Sequence, residues 1–137
     1  MRVVLDTNIL ISALIRRDSV PGQVLRAWAS GHFDLITHEI QLDEFRAVSR
    51  RPELRSALRS AEAGHVVNQI RLHADMVRRL PFVQRSRDPT DDFLLAMCEA
   101  GDVDYLVSGD KAGLLSLARH GRTSIVTARG FLGVISH

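Results

Sequence analysis

The sequence predicts an α/β fold in three layers, α/β/α, around a central, mainly parallel sheet. Short β-branched runs ("RVVLD", "FDLIT", "DYLVSGD", "TSIVTA") alternate with longer helical patterns, as strands and crossover helices of a parallel sheet do. The runs are largely apolar, which suits strands covered on both faces. The length, 137 residues with 45% hydrophobic, suits one domain over 1–137 with a core of its own.

"RVVLD" reads as a short buried strand because turn chemistry follows directly on its β-branched residues. From Ile9 the pattern is helical, with Leu10, Ala13 and Leu14 on one face, until "RRDSVPG" breaks it. "GQVLRAWAS" forms a second helix ended by Gly31, and "FDLIT" a second strand. "HEIQLDEFRAVSRR" then places Ile40, Glu44 and Val48 four apart on one helical face. Pro52 fits the first turn of a helix "PELRSALRS", which Gly64 separates from "HVVNQIRLHADMV". In "RDPTDDFLLAMCEAG", Asp88 fits the N-cap, Pro89 the first helical position and Asp91 the third, where it resembles a capping box, and Gly101 stops the helix. "DYLVSGD" is a further strand, "LLSLARHG" a helix, "TSIVTA" the last strand and "RGFLGVI" the closing segment. Repeats, low-complexity tracts and linkers are not visible.

With 18 basic and 16 acidic residues the chain is mildly basic, which permits an anionic partner without requiring one. Every basic residue except Lys111 is arginine, suited to phosphate but also explicable as composition. The single Cys98 excludes an internal disulfide and a cysteine-based zinc site, shares a helical side with Leu94 and Leu95 and reads as buried filler. A reducing cytoplasm is therefore the expected location, with no membrane partner, since no leader precedes the first strand and no apolar run approaches a span. His32, His38, His65, His73, His120 and His137 show no ligand spacing and are assigned to surface, packing or caps.

Parallel sheets of this kind place ligands beyond the carboxyl ends of their strands. Asp6 ends the first strand and Asp110 lies just past "YLVS". Asp92 shares a helical face with Leu95, Ala96 and Glu99 and is expected to lean toward the sheet, while Glu44 rides with Ile40 and Val48. Each acid alone has a plainer use: Asp6 as a cap, Asp91 in a capping box, Asp110 in a turn, Glu44 as a surface charge. Together they would repel one another unless a cation compensated. All-oxygen donors favour Mg²⁺ or Mn²⁺ over zinc, and such ions serve phosphodiester hydrolysis.

These residues resemble a PIN domain, the fold of VapC-like toxin ribonucleases. "VVLDTNIL", the acid in "LDEF", "RDPTDDFLLAMCEAGDVDYLVSGDK" and "IVTARGFL" occur in the family's order over essentially the whole chain. The resemblance is closest to the toxin components of bacterial toxin–antitoxin modules. It implies a metal-dependent endoribonuclease acting on single-stranded or loop RNA, with Mg²⁺ or Mn²⁺ as cofactor. Asp6, Glu44, Asp92 and Asp110 would be catalytic and metal-binding, and Asn8, Ser108 and Thr7 would orient them. Either Asp91 or Asp92 can be the ligand, and "DFLLAM" at the family's spacing favours Asp92. Where relatives often read "TGDKDLL", "SGDKAGLL" lacks the second Asp and carries Ala112 and Gly113, which leaves a second ion to bind weakly or only with substrate.

For RNA binding, Lys111 beside Asp110 is the best-placed phosphate contact, and Arg46 and Arg50, followed by Arg51, Arg55 and Arg59 at four-residue spacing, could form a stripe or a merely solvated face. Aromatic residues are only 5% of the chain, so base stacking is not indicated. Trp28 and the helices around Val20–Ser30 and Glu39–Arg50 read as core, and the resemblance adds a cognate antitoxin protein or a homodimer as covers for surplus apolar surface. A haloacid-dehalogenase-type phosphatase would want a second Asp where Asn8 stands, and a phospho-receiver would want an acidic pair after the first strand. The non-enzymatic alternative is a catalytically decayed PIN-fold module for RNA or protein binding.

Overall fold

Val3, Val4 and Leu5 are all buried, as a strand covered on both faces requires. They belong to β1 (Arg2–Leu5), in a computed structural model that describes residues 1–136, so that His137 lies outside the described residues. The remaining strands are β2 (Asp34–Thr37), β3 (Asp75–Met76), β4 (Tyr105–Val107), β5 (Arg119–His120) and β6 (Thr123–Val126). Their spatial order is β3-β2-β1-β4-β6-β5, parallel throughout except for β5 against β6.

The helices are α1 (Thr7–Ile15), α2 (Val20–Ala29), α3 (Glu39–Ser49), α4 (Ser60–His73), α5 (Pro89–Ala100), α6 (Leu114–Leu117) and α7 (Ala128–Ile135). Strand alternation sends Val3, Leu5 and Leu35 to a face covered by Leu10, Phe45, Ile70 and Phe131, and Val4, Ile36 and Leu106 to a face covered by Leu94, Leu95 and Leu114. Cys98 lies in this second core, where burial pushes its thiol up to about 12. The three-layer α/β/α arrangement follows.

Several local expectations are corrected. "PELRSALRS" makes only a 3₁₀ turn, Pro52–Leu54, so Arg51, Arg55 and Arg59 share no helical face. Gly64 lies inside α4, where its propensity cost of about 1 kcal/mol is outweighed by burial of Ala63, Val66, Val67 and Ile70. α2 starts before "GQVLRAWAS", because Ser19 Oγ accepts from Gly22 N at 3.1 Å and Pro21 is tolerated in the first turn. "LLSLARHG" ends its helix at Leu117. Ala118 takes φ 62°, and the chain returns as β5. β3 and β5, two residues each, carry no periodic signal that local reading could detect.

The chain leaves β1 toward β2 and β3 on one side, then crosses to β4 and β6 on the other. The topological switch point therefore lies between β1 and β4, and crevices at such points open beyond the carboxyl ends of the strands.

Candidate metal centre

Asp6 stands at that switch point. Its backbone N–H still donates to Val107 O at 2.9 Å, continuing the β1–β4 ladder by one residue. Its Oδ1 accepts from Asn8 N at 3.3 Å as the N-cap of α1, and its Oδ2 accepts from Ser108 Oγ at 2.9 Å. One side chain thus caps α1 and joins the ends of β1 and β4. Burial pushes the Asp6 carboxyl above its usual range, the Ser108 and Asn8 hydrogen bonds pull it back, and the negative charges of Glu44 and Asp110 raise it further.

Ser108, fully buried, couples the two strand ends. Its Oγ donates to Asp6 and accepts from Asp110 N at 3.2 Å, which ties the "SGD" turn to β1. Asp110 is exposed, and its Oδ1 accepts from Gly113 N at 3.0 Å. A Cβ at Gly113 would collide with Asp110 Oδ2 and lie 3.0 Å from Asp91 Oδ2, so glycine there lets the two carboxylates approach one point.

The third acid at this place is Asp91. Only 8% exposed, it is pushed to about 6, by burial first and then by the charges of Asp88, Asp110 and Asp6, against a hydrogen bond from Ser86. The expected capping box does not form: Asp88 caps α5 through Thr90 N, Asp88 N donates to Ser86 Oγ, and Asp91 Oδ2 faces Ser86 Oγ at 3.5 Å. Asp92, expected to lean into the site, is instead turned to the incoming loop. Its Oδ1 accepts from Arg85 N at 3.0 Å and Ser86 N at 2.7 Å. That loop folds over the first turn of α5, and its two amides hold Asp92 away from Asp91's side.

Glu44 is half-buried on α3 and close enough to bear on Asp6, but not among the apolar neighbours expected. Ile40 is 52% exposed, and the inward face of α3 is Gln41, Leu42, Phe45 and Ser49. Gln41 is the residue local reading missed. Fully buried, it donates from Nε2 to Leu5 O at 2.7 Å and Thr7 Oγ1 at 3.4 Å, and its Oε1 accepts from Thr37 Oγ1 at 2.6 Å. It thereby clamps the end of β1 just before Asp6. The available signal was a polar residue on the same helical face as Phe45 and Ser49, one turn and two turns on. Thr7 points into this buried network, whereas Asn8 is exposed and reaches Asp6 through its backbone N–H.

A family model described as PIN domain matches residues 2–112. The chain belongs to the PIN-domain family. No curated protein matches it. The matched span of the PIN domain contains Asp6, Glu44, Asp91, Asp92 and Asp110 and stops one residue before Gly113. PIN domains are generally nucleases and typically use divalent metals such as Mg²⁺.

The acids of this PIN domain fit such an ion in chemistry. All are carboxylates, Asp6 and Asp91 are raised by burial first and then by their like-charged neighbours, and the Gly113 notch lets Asp91 and Asp110 converge. Among the described residues no three His, Cys, Asp or Glu side chains are grouped closely enough to hold one ion directly. Mg²⁺ tolerates that spacing, since it takes one or two carboxylates and keeps several waters.

Lys111 is exposed beside Asp110, Arg46 is half-buried on α3 and Arg50 is exposed at its end. A cavity of about 530 Å³ lies elsewhere, between α2 and α4 at the amino end of β2, lined by Arg26, Trp28, Phe33 and His65 and by none of Asp6, Glu44, Asp91, Asp92 and Asp110. Trp28 is therefore half-buried at a cavity wall, not wholly core. His38 caps α3 through Ile40 N, His120 pairs with Glu99, and His32, His65 and His73 are exposed. No helix among the described residues is long and apolar enough to cross a membrane.

Proposed function

We propose that this PIN domain, the whole of 1–137, is a Mg²⁺- or Mn²⁺-dependent endoribonuclease that hydrolyses phosphodiester bonds of single-stranded or loop RNA. The observation that carries the reading is the placing of Asp6 and Asp110 beyond the ends of β1 and β4, tied through Ser108, with Asp91 Oδ2 and Asp110 Oδ2 both facing the notch at Gly113. Asp6, Asp91 and Asp110 would face a hydrated cation, one or two of them directly and the rest through its waters, with Glu44 as the fourth acid. When bound, the ion supplies Lewis acidity toward a phosphoryl oxygen and a hydroxide-like nucleophile at neutral pH.

The residues around it position. Ser108 fixes Asp6 Oδ2, and Asn8 N fixes Oδ1, so the carboxylate presents one orientation. Gln41 fixes the backbone that carries it. Glu44 has no protein hydrogen-bond partner among the described residues, which leaves its carboxylate available to accept a proton from attacking water. Lys111, with Arg46 and Arg50, contacts the phosphates on either side. Water oxygen adds to phosphorus as the bridging P–O bond breaks, and the leaving oxygen takes up a proton.

A role as the cytoplasmic toxin of a toxin–antitoxin pair, with a cognate antitoxin protein as partner, rests on the ordered motifs and on family membership. The deciding experiment is cleavage of a panel of single-stranded oligoribonucleotides with Mn²⁺. Wild-type protein cuts, chelation stops it, and Asp6→Asn and Asp91→Asn each lower the rate at least a hundredfold. Equal rates in all three proteins would trace the cutting to a contaminant and end the proposal.

A further inference from the structure

We infer that the segment from Val77 to Asp88 is a strap that guides single-stranded RNA to the acids, with Phe82 stacking on a base and Arg78, Arg79 and Arg87 contacting phosphates. For its substrate this rests on the ribonuclease reading above. Both ends of the strap are fastened at the acid edge. β3 runs parallel to β2, so Val77 leaves the sheet on the same side as Asp6, with its N–H on Thr37 O at 2.9 Å. At the other end Arg85 N and Ser86 N hold Asp92, and Ser86 Oγ faces Asp91.

The chemistry between these fastenings is that of a strand-tracking surface. Four arginines fall within the segment. Arg85 is committed internally, its Nη1 donating to Arg119 O at 2.6 Å and lying 3.0 Å from His120 Nδ1. The side chains of Arg78, Arg79 and Arg87 have no protein partner among the described residues, and all three are exposed. Leu80 and Val83 pack against the α5-side core and anchor the strap, which turns Phe82 outward. Phe82 is 88% exposed, more than any other large apolar residue described. Beside it a shallow apolar pocket of about 330 Å³, walled by Leu80, Val83, Phe93 and Ala96, reaches Asp92, the neighbour of Asp91. Exposed aromatic surface among unpaired cations, on a segment whose Ser86 reaches Asp91, suits alternating bases and phosphates. The low aromatic content hid this, because one well-placed ring does not register in composition.

The experiment measures binding of a fluorescein-labelled twelve-nucleotide single-stranded RNA to the full chain carrying Asp6→Asn, which binds without cutting, as salt is varied. Adding Phe82→Ala weakens binding about tenfold, Phe82→Trp restores it, and neither changes the salt slope. Arg78→Ala with Arg79→Ala lowers that slope by roughly 0.7 for each phosphate no longer neutralised. Phe82→Leu binding as tightly as Phe82 would overturn the stacking role. Unchanged affinity in Phe82→Ala, while wild-type protein still cleaves RNA, would overturn the strap and leave the ribonuclease reading standing. The same result with an altered oligomeric state would assign Phe82 to a protein contact and equally overturn it. Neither binding nor cleavage by the unsubstituted ring would remove both readings.

Discussion

Ser108 Oγ donates a 2.9 Å hydrogen bond to Asp6 Oδ2 across a sequence separation of 102 residues, locking the ends of β1 and β4 to each other. Ser108→Ala removes the donor that lowers the Asp6 proton affinity and leaves the carboxylate free to turn. Mn²⁺ affinity measured by calorimetry should fall about ten- to a hundredfold, as for other residues that orient a ligand. Unaltered affinity would show that Asp6 is held adequately without it.

Adjacent acids on α5 should behave differently. Asp91→Asn removes a carboxylate crowded by Asp88, Asp110 and Asp6, so the metal-free protein should melt higher at pH 7.5 while stabilisation by Mn²⁺ disappears. Asp92→Asn should keep the Mn²⁺ response and lower melting, since it weakens the acceptor for Arg85 N and Ser86 N. The reverse pattern would return the ligand role to Asp92.

Stability without metal should have its own pH profile. Asp91 rises from 3.8 to about 6 on folding, and Asp6 is also raised. A carboxyl raised in the folded state stabilises while it stays protonated there, and the benefit is lost as pH climbs through its folded value. Glu39, lowered by its hydrogen bonds from Arg71, and Asp104, lowered by Arg2 N and then by Arg122, act oppositely and lose their contribution only below about pH 4. With chelator present, melting at about pH 5.5 should exceed that at pH 7.5, and Mn²⁺ should close the gap. Melting that climbs steadily from pH 5 to 7.5 in chelator would contradict the crowding of these acids.

Gln41→Leu would remove the buried donor to Leu5 O and Thr7 Oγ1 and leave Thr37 Oγ1 only its 3.5 Å contact with His38 O. Each unsatisfied group costs about 1–3 kcal/mol, so denaturant unfolding should show a loss of at least about 2 kcal/mol. A loss under about half that would mean the cavity admits water as a substitute.

Gly113→Ala would place a Cβ against Asp110 Oδ2. The carboxylate must swing away from Asp91, so cleavage should drop about tenfold or more with little change in melting, because Gly113 lies outside the core. Full activity would remove Asp110 from the ion's surroundings.

Much of this was legible in one dimension. Val3–Leu5 ending on Asp6, the Asp88–Pro89 start and Gly101 stop of α5, and the "SGD" after β4 are local signals, because caps, turns and strand runs depend on near neighbours. Their order along the chain was enough to place it with the PIN domains. Which of two successive aspartates turns toward Asp110 and Asp6 was not legible, since neighbours on a helix point about 100° apart and only the seating of Leu94, Leu95 and Cys98 on the sheet sets the rotation. Packing likewise decided that α3 turns Gln41 inward and Ile40 outward, and that Phe82 stands clear between two half-buried anchors, Leu80 and Val83. Sequence determined which side chains were available at the strand ends, and tertiary structure decided which of them meet, because rotation and register are properties of contacts between segments far apart in the chain.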